Sequence, residues 1–143
     1  MQVVQLPRYI SSFEQSPLAR WSALEPWELT VRSEAVVRQL LAELPSREFV
    51  ITGEVAIHRT TTVESGAVLK PPLIVSAGCF IAAGAYLRGG NWVAESCIFG
   101  PGSELKSSFV FAGTKLAHFN FVGDSVLGSG VNLEAGSIIC NYR

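Results

Sequence analysis

The chain has 143 residues, 11 basic and 12 acidic side chains, a formal net charge of −1 and a hydrophobic fraction of 48%. This length allows one domain with at most a small appendage, and the aliphatic-rich composition excludes a disordered chain. The near-neutral charge provides no long-range field for a nucleic-acid backbone, which argues against a general DNA- or RNA-binding protein.

Neither targeting nor membrane insertion is indicated by the sequence. The N-terminus lacks the basic stretch and apolar core of a signal peptide. The uncharged run 71–87 approaches the length of a membrane span, but it contains prolines and glycines and its apolar period continues beyond it. The sequence therefore predicts a soluble, cytoplasmic protein that binds neither membrane nor nucleic acid.

The first part of the chain, residues 1–48, carries helix signals. Prolines that follow Ser or Glu predict helix starts, and the apolar spacing predicts helices over about 17–24 and about 26–44. Trp21 and Trp27 make this segment amphipathic, as in a helix that binds a partner or a membrane. We favour a cap over one end of the main domain, because repeat domains need their open ends covered.

The second part, residues 49–143, shows a period of six. Every sixth residue from Ile51 is apolar over twelve consecutive positions: Ile51, Ile57, Val63, Leu69, Val75, Ile81, Leu87, Val93, Phe99, Leu105, Phe111 and Ala117. Neither strand alternation nor a 3.6-residue helical repeat keeps this phase. After Ala117 the register slips and resumes at Leu127, which predicts an irregular coil over about 118–126.

A six-residue period is typical of a parallel β-helix with three short faces, or about 18 residues, per coil. The aliphatic residues point inward and the glycine-rich positions turn the corners. The pattern resembles the hexapeptide-repeat acyltransferases, which form left-handed β-helices. The predicted fold is all-β: a left-handed parallel β-helix of about five coils over 49–143, preceded by a short N-terminal α-helical cap over 1–48.

Residues 18 positions apart lie one above another in such a coil. Lys70, Arg88 and Lys106 have this spacing and each follows an inward aliphatic residue, which predicts a ladder of three cations. Such a ladder could bind phosphate, with a guanidinium fork beside point charges. The alternative is a solvated row of splayed side chains with no ligand.

The same spacing relates two cysteines, and one histidine lies at the slip. Cys79 and Cys97 are 18 positions apart at inward positions, and we favour two small buried hydrophobes over a disulfide or metal pair. No histidine accompanies them at ligand spacing, so no metal is predicted. His118 lies beside the irregular coil, where it is a candidate general base or a packed, capping side chain.

Four motifs near the C-terminus carry a family resemblance. They are Lys-x-x-His at 115–118, aromatic-aliphatic-Gly-Asp at 121–124, Val-Asn-x-x-Ala-Gly at 131–136 and Cys-Asn-Tyr at 140–142. In this order they resemble bacterial glucosamine-1-phosphate N-acetyltransferase, the acetyltransferase half of the bifunctional enzyme that is also the N-acetylglucosamine-1-phosphate uridyltransferase. The similarity extends without gaps back to about Cys79.

The resemblance implies a role for each matching residue. His118 matches the general base, Arg88 and Lys106 the sugar-phosphate ligands, Asn132 an amino-sugar contact, and Asn141 and Tyr142 the acetyl-donor end. It also implies acetyl-CoA as co-substrate and a homotrimer whose sites are shared between subunits. Trp92, Phe109 and Phe119 occupy non-inward positions, where we expect them to form the trimer interface because isolated exposure is unfavourable.

Three departures from the family pattern stand out. Phe121 replaces a tyrosine that hydrogen-bonds the substrate. The sequence stops at Arg143, before further coils that supply a phosphate-side lysine and most CoA contacts, so either the domain is truncated or the donor site is incomplete. No segment resembles a nucleotidyltransferase domain, and uridylyl transfer is not expected.

The predicted function is acyl transfer from acetyl-CoA to an amino-sugar phosphate, in nucleotide-sugar or cell-envelope precursor synthesis. The alternative is a non-catalytic trimeric scaffold that binds a sugar phosphate or nucleotide sugar. A γ-type carbonic anhydrase has little support, because His58 and His118 are the only histidines and zinc would need three.

Overall fold

The computed structural model describes residues 3–140. The helical elements of this range come first: α1 (Leu6–Tyr9), a 3₁₀ helix (Ala19–Trp21), α2 (Pro26–Val31) and α3 (Ser33–Leu41). None of the helices in this range is long and apolar enough to cross a membrane.

The helices are shorter than the sequence predicts. Only the 3₁₀ helix forms within 17–24, and the helix predicted over 26–44 is divided at Arg32 and ends at Leu41. Arg32 is both the C-cap of α2 and the N-cap of α3, with φ −98° and ψ 11°, which lies outside the helical region. At the start of α2, Glu25 and Glu28 form a reciprocal capping box around Pro26, the first residue of the helix.

The strands, numbered along the chain, form three sheets, one on each side of the coil. Sheet A contains β1 (Phe49–Thr52), β2 (Val55–His58), β5 (Leu73–Val75), β8 (Asn91–Val93), β11 (Phe109–Val110) and β14 (Val126–Leu127). Sheet B contains β3 (Thr62–Val63), β6 (Phe80–Ile81), β9 (Ile98–Phe99), β12 (Lys115–Leu116) and β15 (Asn132–Leu133). Sheet C contains β4 (Val68–Leu69), β7 (Tyr86–Arg88), β10 (Glu104–Lys106), β13 (Phe121–Gly123) and β16 (Ile138–Ile139).

Each strand pairs in parallel with the strand one coil away, except β1, which pairs antiparallel with β2. The result is a β-solenoid of about five turns, and the predicted left-handed β-helix with short N-terminal helices is confirmed.

Aliphatic and aromatic side chains from all three sheets fill the interior of the coil. This cluster contains Leu87, Leu105 and Val122 from sheet C, together with Val110 from sheet A and Leu116 from sheet B. All five side chains are fully buried. Stacking of apolar side chains at successive levels is what holds a coil to its neighbours.

The register of the later coils differs from the prediction. Leu87 pairs with Leu105, 18 positions away, whereas Leu105 pairs with Val122, only 17 positions away. The shortening comes directly after Leu105, and it makes Val110 and Leu116 the inward residues in place of Phe111 and Ala117.

The predicted irregular coil over 118–126 is therefore wrong, because these residues belong to a regular but shorter coil. Ile51 was also wrongly predicted to be inward; it lies exposed in the antiparallel strand β1.

A second apolar cluster lies between the N-terminal segment and the outer face of sheet A. Val37 and Leu40 of α3 pack there with the outward residues Ile74, Trp92 and Phe109. The helices thus cover a side of the solenoid, whereas the sequence analysis placed them over an end. Trp92 is 6% exposed and Phe109 is fully buried, so neither is available for the predicted trimer interface.

The stacked cysteines are buried free thiols, as predicted for small hydrophobes. The Cys97 amide donates to Cys79 Sγ at 3.4 Å, and the two thiols donate to the carbonyls of Phe111 and Ala94. The side-chain hydrogen bond with the Cys79 thiol, followed by burial, raises the pKa of the Cys97 thiol. Within residues 3–140, no group of three or more His, Cys, Asp or Glu side chains is arranged to hold a metal ion.

Replacing Trp92 with alanine is expected to destabilise the protein by about 3–5 kcal/mol, since a buried indole in edge-to-face contact with Phe111 is lost. Trp27→Ala, which removes a 43% exposed indole from α2, is the control and should cost well under half as much. Urea denaturation monitored by circular dichroism measures both. Equal effects would contradict the burial of Trp92 under the helices.

Candidate functional site

The outer face of sheet C carries the predicted phosphate ligands. Strand alternation turns Leu87 and Leu105 inward and the following residues, Arg88 and Lys106, outward on neighbouring strands. Lys70 lies beside Arg88 at the edge of the first coil, where its amide donates to the carbonyl of Leu87. The structure thus brings the three cations together along one margin of the sheet.

Two of these cations have acidic partners that the sequence analysis missed. Arg88 Nε donates to Glu104 Oε2 at 2.7 Å, and Lys106 Nζ lies 3.1 Å from Asp124 Oδ1. The acids relieve the repulsion within the ladder and hold both long side chains in defined positions. Arg88 uses only Nε in its ion pair, which leaves its two terminal nitrogens without a hydrogen bond to any of residues 3–140.

Asp124 reaches Lys106 because the coil is shortened at this point. In the second coil, two glycines, Gly89 and Gly90, turn the corner from sheet C to sheet A. In each of the next two coils a single residue turns this corner: Ser107, with φ 50°, and then Asp124, with φ 48°. The corner that is one residue shorter accounts for the change of register, and the carboxylate of Asp124 lies next to the ammonium group of Lys106.

His118 precedes β13, whereas the corner of Asp124 follows it. His118 is exposed in the corner that leads from sheet B to sheet C, and its carbonyl accepts the Gly136 amide at 3.0 Å. Gly123, which lies beside Lys106, is five positions after His118, so their backbones are at most about 17 Å apart.

Phe121 occupies the outer face between these two ends. Its ring covers Gly123, because a Cβ built on that glycine would lie 2.8 Å from Phe121 Cε1 and 2.9 Å from Cζ. The ring therefore extends along the strand to Gly123, whose backbone pairs with Lys106. Phenylalanine has no hydroxyl at this end of the ring.

The remaining predicted residues lie on the sheet B side or outside the described range. Asn132 is exposed on β15, next to Lys115 of β12, and its amide lies 3.2 Å from Glu134 Oε1. Asn132 belongs to the next coil, in which Gly136, at the corner after β15, donates its amide to the carbonyl of His118. Asn141 and Tyr142 lie outside the described residues.

Asn120 is a buried polar residue of the same corner that the sequence analysis did not identify. Its side-chain amide donates to the carbonyls of Glu134 and Ser137 at 2.7 and 3.2 Å, while its Oδ1 is buried without a partner in the part of the chain described. These bonds tie the corner of His118 to the corner of the next coil. Because Asn120 is two positions after His118, its hydrogen bonds fix the backbone that carries this candidate base.

The N-terminal helices border the cation ladder. Ser33 Oγ donates to the carbonyl of Gly89, and a Cβ on Gly90 would meet Glu34 at 2.9 Å, so only glycine allows this approach. Arg32, Lys106 and Asp124 are among the residues that line an open cleft of about 480 Å³ between the helices and this corner. The helical segment is thus a wall of the region around Lys106.

Comparison with known proteins identifies proteins whose sequences are similar to this chain. The chain is 31% identical over 134 residues to bifunctional protein GlmU of Acidithiobacillus ferrooxidans, an alignment that covers 82% of the chain. It is 36% identical over 93 residues, or 65% of the chain, to GlmU of Thermodesulfovibrio yellowstonii. The chain resembles GlmU.

The family resemblance predicted from the sequence is therefore confirmed, at modest identity over most of the chain. A shorter stretch of 58 residues is 47% identical to GlmU of Carboxydothermus hydrogenoformans and covers 41% of the chain. No family profile matches the chain. The aligned regions span only 13% to 29% of the length of these GlmU proteins.

Asn120→Ala is expected to lower the free energy of unfolding by about 1–3 kcal/mol, because the two hydrogen bonds of a buried amide, to the carbonyls of Glu134 and Ser137, are lost. Asn132→Ala removes the same kind of side chain from an exposed position and should change stability by less than about 0.5 kcal/mol. Urea denaturation measures both variants. Similar values for the two would show that the Asn120 hydrogen bonds do not hold the corner.

Proposed function

We propose that the chain transfers an acetyl group from acetyl-CoA to the amino group of an amino-sugar phosphate similar to glucosamine-1-phosphate. The reaction serves nucleotide-sugar or cell-envelope precursor synthesis. A cytoplasmic location is part of the proposal, because the three cysteines are free thiols, which suits a reducing compartment.

The observation that carries the proposal is that His118 lies before β13, whereas Lys106 and its neighbour Arg88 lie beside the end of β13. A phosphate held by Arg88 and Lys106 would lay its sugar along Phe121, with the far end of the ring near His118. This separation suits a substrate with an anion at one end and a nucleophile at the other. The similarity to GlmU supports the same interpretation.

The proposed chemistry begins with a neutral amine, since an ammonium has no lone pair for attack. The amine nitrogen forms a bond to the thioester carbonyl carbon while the His118 imidazole takes a proton from the nitrogen. The tetrahedral intermediate collapses as a lone pair of the oxyanion re-forms the carbonyl, and the CoA thiolate leaves with the electron pair of the broken carbon–sulfur bond. His118 then returns the proton to that thiolate, and backbone amides at the coil edge stabilise the transient oxyanion.

The other predicted residues take supporting roles in this proposal. Asn132 contacts the amino sugar from the sheet B side, and Asn141 and Tyr142 line the acetyl-donor end. Glu104 and Asp124 orient the two cations, and the free terminal nitrogens of Arg88 offer the phosphate a donor pair. Because Phe121 lacks a hydroxyl, the acceptor loses one polar contact relative to the family pattern.

A second candidate is a non-catalytic scaffold that binds a sugar phosphate or nucleotide sugar. Arg88 and Lys106, held in place by their carboxylate partners, would bind a phosphate without any chemical step. Binding without thiol release would select this function.

We also propose a homotrimer, with an interface that differs from the one predicted from the sequence. Phe80 and Ile98 on sheet B, and Val68 and Tyr86 on sheet C, are outward, paired and each 37–40% exposed. Together they form an apolar surface on both sides of the corner below His118. A contact between subunits here would cover this surface and bring a second chain close to the site.

The kinetic prediction separates the base from the phosphate ligands. His118→Ala should lower kcat by about 10²–10⁴ with little change in sugar-phosphate binding, because a general base acts in the transition state. Arg88→Ala or Lys106→Ala should raise KM by about tenfold or more for a phosphorylated amino sugar and hardly affect an unphosphorylated one. Thiol release from acetyl-CoA, with a panel of amino-sugar phosphates, measures each parameter.

Arg20→Ala is the control, since Arg20 is also an arginine paired with a carboxylate, Glu43, but lies on the N-terminal segment. It should leave both parameters unchanged. The proposal fails if the wild-type chain, with any natural C-terminal extension, releases no CoA with any amino-sugar phosphate. It also fails if His118→Ala is as active as the wild type.

The trimer is tested by light scattering after size exclusion. Wild type should have three times the 15.4 kDa mass of the chain, and Phe80→Glu should shift it to a single-chain mass. Val50→Glu places the same charge on the exposed strand β1 and should leave the trimer intact. A single-chain mass for the wild type at micromolar concentration would contradict the proposal.

A further inference from the structure

The corner between sheets B and C has one exceptional residue. Glycine occupies the equivalent position in every other described coil, at Gly66, Gly84, Gly102 and Gly136, with φ values between 70° and 99°. In the coil of His118 this position is Phe119, with φ 55°. The chain therefore has an aromatic residue where the backbone favours glycine.

This conformation is unfavourable for a residue with a bulky side chain, in which Cβ crowds the carbonyl oxygen. Such residues persist where the surroundings fix them, and they are concentrated at functional sites. Burial does not account for Phe119, because 68% of the residue is exposed. Its ring must therefore be explained by what it contacts.

The ring lies against Gly102 and His118. Gly102 belongs to the preceding coil, and a Cβ built on this glycine would lie 2.7 Å from Phe119 Cδ1. The imidazole of His118 is in an edge-to-face contact, with ring centroids 5.4 Å apart and an angle of 87° between the planes. Gly102 thus provides a seat for the ring, and the seated ring borders the imidazole.

No hydrogen bond between the His118 imidazole and any of residues 3–140 is present to orient it. A histidine base is usually held by a bond from its second nitrogen to a carboxylate or carbonyl. In the described chain, the ring of Phe119 is the aromatic group that contacts the imidazole.

We propose that Phe119 is a positioning residue, whose ring, seated on Gly102, holds the imidazole of His118 in the orientation required of the base. The inference rests on the proposed role of His118. The strained backbone is needed for this function, because the left-handed conformation places the side chain over Gly102.

The first experiment compares Phe119→Gly with Ser96→Gly. Ser96 also has a positive φ, 59°, at a corner remote from His118, so both variants relieve strain and only one removes the ring. Phe119→Gly should unfold at a temperature no lower than the wild type, yet lower kcat about tenfold to hundredfold with KM for the acceptor within twofold. Ser96→Gly should keep kcat, and Phe119→Tyr, which retains the ring, should restore it.

The second experiment displaces the ring without changing Phe119. Gly102→Ala puts a methyl group into the seat of the ring, whereas Gly84→Ala carries a similar backbone strain, at φ 84°, and its Cβ contacts only the Gly102 amide at 3.4 Å. Gly102→Ala should lower kcat as Phe119→Gly does, and Gly84→Ala should not.

Nuclear magnetic resonance tests the contact without any substrate. Wild type and Gly84→Ala should show nuclear Overhauser effects between the ring protons of His118 and Phe119, and Gly102→Ala should lose them. Absence of these effects in the wild type, or a kcat within twofold of wild type for Phe119→Gly, would overturn the inference. A wild type that shows the effects but releases no CoA would refute the proposed function alone.

Discussion

The stacking of inward-facing side chains sets the position of every other residue in the solenoid. Each coil is held to the next by apolar contacts at matching levels, such as Leu87 on Leu105 and Leu105 on Val122. Because the three faces of a coil must close at each level, a corner can have only as many residues as keep the inward side chains stacked. A corner that loses one residue must change its backbone conformation, and the side chains beside it move with it.

This constraint joins the architecture to the candidate site. The shortened corner puts Asp124 in the left-handed region and places its carboxylate at Lys106. The corner at the opposite end of the same strand carries Phe119, also left-handed, beside His118. Both unusual backbone positions therefore flank β13, the strand between the cations and the histidine.

The sequence was sufficient for the fold and for part of the geometry of the candidate site. Nine uninterrupted six-residue steps predict the coil as far as Leu105, so the stacking of Arg88 on Lys106 follows from their spacing. Beyond that point Phe111 fits the old phase and Val110 the new one, and both are buried, the first under the helices and the second inside the coil. Apolar periodicity cannot distinguish two phases when both faces of a sheet are covered.

The same ambiguity explains the misplaced interface. Trp92 and Phe109 alternate with inward residues, as solvent-facing positions do, but the helices cover that face of sheet A. Glu104 could have been found, since it lies two positions before Lys106 and strand alternation puts both on one face. Asp124 could not, because its position depends on the lost corner residue, and the contact of Phe119 with Gly102 depends on a backbone angle.

The reversed strand β1 has a consequence for the ends of the solenoid. A stack of parallel coils presents unpaired amides and carbonyls at each end, and another chain could continue the stack there. At the N-terminal end of sheet A, β1 runs antiparallel to β2 and occupies these groups. A coil added at this end would meet, on sheet A, a strand of opposite direction and no inward ladder to extend.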